Sequence, residues 1–568
     1  MSSESLENLL NSLDELKRQT GAVAARRILR TLDKLNQRRF REAELLIRFH
    51  EILLFLCAYP QSAGVLSRAE RMLASFQRRI EWLRSIDADL SPLEEAEVSG
   101  IVSTSVTSVF SYQMARWFAH AHGSEVEIDW EGYEDSARMG ETWPRFLPLL
   151  EEDALVEANV PYRDWLRAAR GGSKRELPWL IERFDRLRHT ERERAELYDS
   201  LKLWLRWTPA RSASTRTGMK FRHSGEIFYQ REPLLRRSDV RLALEMERPA
   251  LSLKRLSRRE GERVLDLIRA TSAIRYRELH GFTYGDPSRV LHASAGRGVE
   301  FFFNGVEPKY RLPLRAYHSA FMIRNGVPIG YAEGISIFER MEIGFNIYYT
   351  FREGESAWLY AQCLRLYRQL LGVTAFSVDP YQIGFENEEG IESGAFWFYR
   401  KMGFRPVRGD VTKLVLEEER RVAARPLYRT RAETLRELSV GHMLLEFPAS
   451  QSSDWDGFHV RNLGLAVQRR MAKSFAGDAE RMRSAAMKTV ARALGLRTAK
   501  WKEAERQAFE NLSLVLSLVP DLSSWTKDEK LAVARIIRAK AGRDESRYLC
   551  LMQQHEKLRS EFIRLGSA

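Results

Sequence analysis

The spacing of apolar and polar positions divides the chain into three stretches. Over residues 1–210 the apolar positions recur at intervals of three and four: Leu6, Leu9, Leu10, Leu13 and Leu16 form one row, and Leu29, Leu32 and Leu35 another. That spacing puts each row on one helical face and predicts an all-helical region. Ser91-Pro92 reads as a helix start, with Ser91 as cap and Pro92 in the first position, where its missing N–H is not needed. Residues 130–143, rich in acids and aromatics, predict an irregular connection. Trp165, Trp179, Trp204 and Trp207 continue the helical region as core side chains. Residues 209–225 turn to Ser, Thr, Arg and Gly and lose the period, so 211–249 reads as a linker.

Near residue 250 the period shortens to two. Residues 251–256, 299–303, 315–324, 327–338, 342–351 and 373–378 read as strands; in the fifth, Ile343, Phe345, Ile347 and Tyr349 alternate. Asn325-Gly326 between two such runs is a strong hairpin signal. Residues 259–276, 358–371 and 394–402 carry a helical period, and helical spacing returns after 416 and continues to 565. The predicted class is α+β: a mixed domain at 250–418 with a predominantly antiparallel sheet, flanked by helical regions at 1–210 and 419–568.

With 568 residues the chain exceeds what one hydrophobic core supports. Lys and Arg number 90 against 77 acids, a net +13, which favours acidic partners such as nucleic acid, CoA or anionic lipid. Most of these charges interleave with acids, as in Arg192-Glu193-Arg194, and read as solvated helix faces. No nucleic-acid recognition module accompanies them. Three distant cysteines, Cys57, Cys363 and Cys550, form no CxxC pair, which argues against structural zinc or a disulfide framework and for buried thiols in a reducing compartment. The N-terminus does not read as a secretory signal, and the most apolar run, 52–58, is far short of the roughly 20 residues that span a bilayer. The expectation is a cytoplasmic protein without a membrane span. Gly296-Arg297-Gly298 lacks a preceding strand and a third glycine, so it is no dinucleotide fingerprint. His120 and His122 have no ligand set at metal spacing, and no metal site is expected.

The chemistry-bearing stretch is 327–404, where a strand runs into Phe351-Arg352-Glu353-Gly354-Glu355-Ser356-Ala357 and then a long helix. A glycine turn at a helix mouth offers free backbone N–H groups and the positive end of the helix dipole to an anion. A second motif, Ala395-Phe396-Trp397-Phe398-Tyr399-Arg400-Lys401-Met402-Gly403-Phe404, follows the next strand.

In element order and in these two motifs, residues 251–416 resemble the GNAT superfamily of CoA-dependent N-acyltransferases. Two positions depart from the family pattern in the first motif, which holds Phe351 and Ser356, and one beside the second, where Glu392 stands in place of a frequent Asn. The resemblance implies acetyl-CoA or another acyl-CoA as co-substrate, with Tyr348, Tyr349 and Thr350 pairing the pantetheine arm. Arg352, Gly354, Ser356 and Ala357 would then hold the pyrophosphate, with Glu392 beside the arm; Glu353 and Glu355 bring opposing charge to that site. It also implies a carboxylate base for the acceptor amine, Glu342 or Glu333, each equally readable as a structural carboxylate, and Tyr399 as proton donor to the departing thiolate. His318 reads as a packed side chain, and Asp379-Pro380-Tyr381 as either a simple turn or part of the acceptor pocket. A second reading stays open: a non-catalytic CoA-binding or protein-interaction scaffold, suggested by the substituted motif and the long helical flanks.

Overall fold

The computed structural model describes residues 5–133, 137–148, 161–172, 175–222, 225–425, 427–448 and 453–567. The leucine rows do form helices: Leu6–Leu16 buries Leu9, Leu10, Leu13 and Leu16, with Ser5 capping its first turn. Helix α1 (Ala43–Ala58) is buried all round along its C-terminal half, which explains why residues 52–58 lack a polar face. Among the described residues, no helix is long and apolar enough to cross a membrane.

The N-terminal region is not all-helical. Strands β1 (Val106–Val109), β2 (Val126–Ile128) and β3 (Trp204–Trp207) form an antiparallel sheet in the order β1-β3-β2. Trp204 and Trp207 therefore lie on a strand, where Trp207 packs edge-on against Phe118 at 5.1 Å. Strands of three or four residues carry too little alternation to be read from sequence. Ser91–Glu94 is a single 3-10 turn with Ser91 inside it and Leu90 at the cap position, not a helix capped by Ser91. Within 130–143 a short helix spans Ala137–Thr142, and residues 134–136 lie outside the described residues.

The central sheet has nine strands: β4 (Ser252–Arg255), β5 (Leu291–Gly296), β6 (Val299–Gly305), β7 (Ala316–Arg324), β8 (Val327–Ile337), β9 (Arg340–Ile347), β10 (Ala375–Val378), β11 (Arg405–Pro406) and β12 (Met443–Glu446). Their order is β11-β12-β10-β9-β8-β7-β6-β5-β4. Every pairing is antiparallel except β9 with β10. The β7–β8 hairpin turns at Asn325 (φ 50°) and Gly326 (φ 80°), the paired left-handed conformation that this dipeptide supplies. Helices α2 (Arg258–Ala273) and α3 (His280–Thr283) precede the first hairpin, and α3 lies close to β7. A Cβ at Gly281 would sit 1.7 Å from Ser319 Oγ. Helix α4 (Ser356–Leu371) covers the opposite face, where Tyr367 Oη donates to the carbonyls of His318 (3.2 Å) and Ala332 (3.1 Å). Helices α5 (Glu388–Glu392) and α6 (Ala395–Lys401) follow β10.

Two boundaries move. Strand β12, from the stretch expected to be helical, inserts between β10 and β11, so the central unit continues past residue 418. The 211–249 segment is not a free linker. Phe221 N–H donates to Gly326 O (2.8 Å), Gln230 N–H donates to Pro60 O (2.7 Å), and Thr215, Arg216 and Thr217 are buried. Cys57 and Cys363 are buried as expected, whereas Cys550 is exposed.

One ion pair ties these parts together. The side chains of Glu355, at the mouth of α4, and Arg324, at the hairpin, are both fully buried and in contact. Arg297 and the Leu235 N–H (3.0 Å) complete the carboxylate's partners. Arg324 in turn reaches Gln230 (2.8 Å) and lies over the Tyr59 ring at 3.9 Å. Burial alone would raise the Glu355 pKa, but the Arg324 charge and the hydrogen bonds outweigh it and hold the group ionised. Glu355→Ala would strand two arginines and should cost about 3–5 kcal/mol. Urea unfolding tests this, and an unchanged midpoint would contradict it.

Candidate functional site

Strands β9 and β10 run together only briefly. Arg340, Met341 and Glu342 pair with Ala375, Phe376 and Ser377, after which β9 continues with β8 alone. The chain beyond β10 turns away through Pro380–Ile383, leaving a wedge between the strands. Gln382 fills the position of the lost ladder partner: its Oε1 accepts from Phe345 N–H and from Tyr399 Oη, both at 3.4 Å. A cleft of about 460 Å³ opens here, lined by β8 and β9, the Pro380–Ile383 turn, α6 and the first turn of α4.

Four residues expected at the site meet in this cleft: Glu333, Arg352, Ser356 and Tyr399. Glu333 projects from β8 and accepts from Gly281 N–H at 3.2 Å. Its pKa is raised, first by burial, with the hydrogen bonds from Gly281 and Tyr317 only partly offsetting that. Tyr399 is buried, and burial raises its phenol, so it stays neutral and able to donate. Arg352 pairs with Glu389 across the cleft rim. Ser356 opens α4, whose first-turn N–H groups have no intrahelical acceptor.

The other expected residues lie elsewhere. Glu342 is not a lining residue of this cleft; it faces a neighbouring pocket, 3.8 Å from Arg315. Glu392 is exposed on α5 and lines no part of the cleft. Tyr348 is buried beneath the Arg275 guanidinium at 4.2 Å, and Tyr349 is 58% exposed. Thr350 donates to Glu51 of α1. Ala357 is buried on α4. Gly354 meets protein rather than a ligand: a Cβ there would lie 2.4 Å from Tyr59 Oη. Its N–H donates to Phe351 O (2.9 Å), and the Glu355 N–H to Tyr59 Oη (3.4 Å). Glu353 turns outward to Lys17 and Arg18. The half of the glycine turn nearest Gly354 is thus a docking point for α1, leaving Ser356 and Ala357 as its free donors.

His318 is the packed side chain expected, stacked on Phe303 at 5.3 Å, and burial lowers its pKa to about 4. Asp379 caps the turn, accepting from Tyr381 N–H (2.9 Å), while Tyr381 lines the cleft. Sequence reasoning missed Tyr331, Arg277 and Gln382. Tyr331 stands two residues before Glu333 and so shares its face, a signal present in the strand's alternation. It accepts from Asn346 Nδ2 and Arg277, each at 3.3 Å. No comparable signal marks Gln382. Among the described residues, no group of three or more His, Cys, Asp or Glu is placed to hold a metal ion. No family model, curated protein or solved structure matches the chain.

On α1, Glu51, with 11% of its side chain exposed, sits among His50, Arg216 and Thr350. Burial alone would raise its pKa, but Arg216 and the His50 and Thr350 hydrogen bonds outweigh that and hold it at about 2. A depressed carboxylate stabilises the fold above its unfolded pKa, here 4.5, and this contribution fades as pH falls toward 2. Urea midpoints should therefore drop between pH 5 and pH 3, and Glu51→Gln should flatten that drop while lowering stability at pH 7. Equal acid sensitivity in both proteins would contradict the assignment.

Proposed function

We propose that the cleft is an acyl-CoA site and that the protein transfers an acyl group, acetyl in the simplest case, to an amine. The observation that carries this reading is the wedge between β9 and β10, with Glu333 on one wall, Tyr399 on the other and the open end of α4 at its mouth. The element order and the Phe398-Tyr399 helix support it through the resemblance to the N-acyltransferases read in the sequence. The pantetheine arm would lie along 344–347, whose edge lacks a strand partner. The pyrophosphate would rest on the Ser356 and Ala357 N–H groups beside Arg352. Glu333 would take a proton from the bound ammonium, and the freed amine would attack the thioester carbonyl. As the C–S bond breaks, the thiolate would take the Tyr399 proton, and the proton left on the new amide nitrogen would pass to the Tyr399 phenolate. Glu342 has no part in this scheme. The expected compartment is the cytoplasm.

A second reading has its own observation: Tyr59 and Glu355 occupy half of the glycine turn, which favours a scaffold that binds CoA without turnover. Calorimetry with acetyl-CoA, together with thiol release in the presence of an amine panel, separates the two. Micromolar binding with thiol release supports the transferase; binding alone supports the scaffold; the absence of binding removes both. In an active enzyme, Glu333→Gln and Tyr399→Phe should each lower kcat/KM by about 100-fold. The wild-type rate should rise with pH through the elevated Glu333 pKa, since only the carboxylate accepts a proton, and Glu333→Gln should abolish that limb. A pH profile unchanged by the substitution would exclude Glu333 as base.

A further inference from the structure

Next to the cleft lies a second pocket of about 210 Å³. It occupies the next two rungs of the same sheet face. In the β8–β9 register Glu333 opposes Gly344, Ile335 opposes Glu342 and Ile337 opposes Arg340, and alternate residues share a face. The first rung lines the cleft and the other two line the pocket. Gly344 and Arg340 are four residues apart, about 13 Å along the strand.

Two independent features make this pocket cationic. Helix α7 (Val460–Phe475) starts at its wall. Its cap, His459, makes no side-chain capping bond, and no acid stands in the first turn. Val460 and Arg461 line the pocket, and the first-turn N–H groups of α7 have neither an intrahelical acceptor nor a side-chain cap. The second feature is Arg340, only 8% exposed, which also lines the pocket. Its guanidinium donates to Phe458 O at 3.0 Å and lies over the Phe458 ring, but its Nε has no hydrogen-bond partner. Among the described residues, no carboxylate approaches it within ion-pair distance. Arg315 and Arg461 add charge. Of the two lining carboxylates, Glu342 lies beside Arg315 and Asp379 is engaged in capping its turn. Nearby His442 and His459 sense the same field. Burial, followed by the adjacent arginines, pushes His442 down to about 3 and lowers His459.

We propose that this pocket is an anion subsite, holding the carboxylate or phosphate of an acceptor whose amino group lies in the neighbouring cleft. The placement of the amine rests on the acyltransferase reading, while the anion site rests on Arg340 and α7 alone. The acceptor class is then an extended amine with an acidic group at its far end. The pocket takes that one end and is too small for a CoA molecule.

The test is calorimetric titration of the full chain with inorganic phosphate and, separately, with acetate. Arg461→Glu, an exposed position whose change leaves the core intact, and Arg340→Gln run in parallel. The expected result is saturable binding of at least one anion, weakened at least tenfold in both variants. Acetyl-CoA affinity in Arg461→Glu should stay within twofold of the parent. The anion that binds more tightly identifies the acidic group. No saturable binding of either anion, or binding equally tight in Arg461→Glu, overturns the proposal. Anion binding lost in Arg461→Glu from a chain that never binds acetyl-CoA leaves the subsite standing and removes the acyltransferase reading.

Discussion

The buried contact between Glu355 and Arg324 is the constraint on which the rest of the arrangement depends. Two charges taken fully out of water are tolerable only when each finds several partners. Those partners come from everywhere: Arg297 from the β5–β6 turn, Leu235 and Gln230 from the 211–249 strap, and Tyr59 from the C-terminal cap of α1. The hairpin tip repeats the pattern one residue on, where Asn325 Nδ2 donates to Ala58 O and Phe228 O, both at 3.0 Å. The first helices are therefore joined to the sheet at the mouth of α4 and the hairpin tip, while residues 99–117 reach the central unit separately, through Ser99 to Ile274 O, Ser111 to Glu278 and Trp117 to Asp266.

This junction shapes the site. By fixing Glu355 inward it sets where α4 begins, and by placing Tyr59 over Gly354 it closes one side of the glycine turn. The open side faces the wedge between β9 and β10, where the two strands part after three paired residues. Gln382 satisfies the strand edge and Tyr399 at once, so the wedge stays open without leaving Phe345 N–H unpaired. Glu333, from the sheet, and Tyr399, from α6, then line one cavity.

Local signals were readable where the chemistry is local. Asn325-Gly326 specified its own turn, and the alternation along 327–351 set which side chains share a face with Glu333. Tyr399, which lines the cleft, belongs to a contiguous motif and so stood out in the sequence. The destination of Glu355 was not readable, because its partners lie 31 residues away at Arg324 and 296 away at Tyr59. Glycine at 354 carries the same signal whether its neighbour is a phosphate or a tyrosine ring. Glu342 shares a face with Glu333, but the point where β10 departs, which separates it from the cleft, is a property of the pairing and not of any residue. Strand β12 is three apolar residues and Glu446 among helices, and only its partners make it a strand.

Backbone hydrogen exchange with and without CoA tests the central claim most directly. The account predicts slowed exchange on CoA binding at 344–347 and 356–357, with little change in the small sheet of β1, β2 and β3. Protection elsewhere, or none at the wedge despite binding, would contradict the placement of the site between β9 and β10.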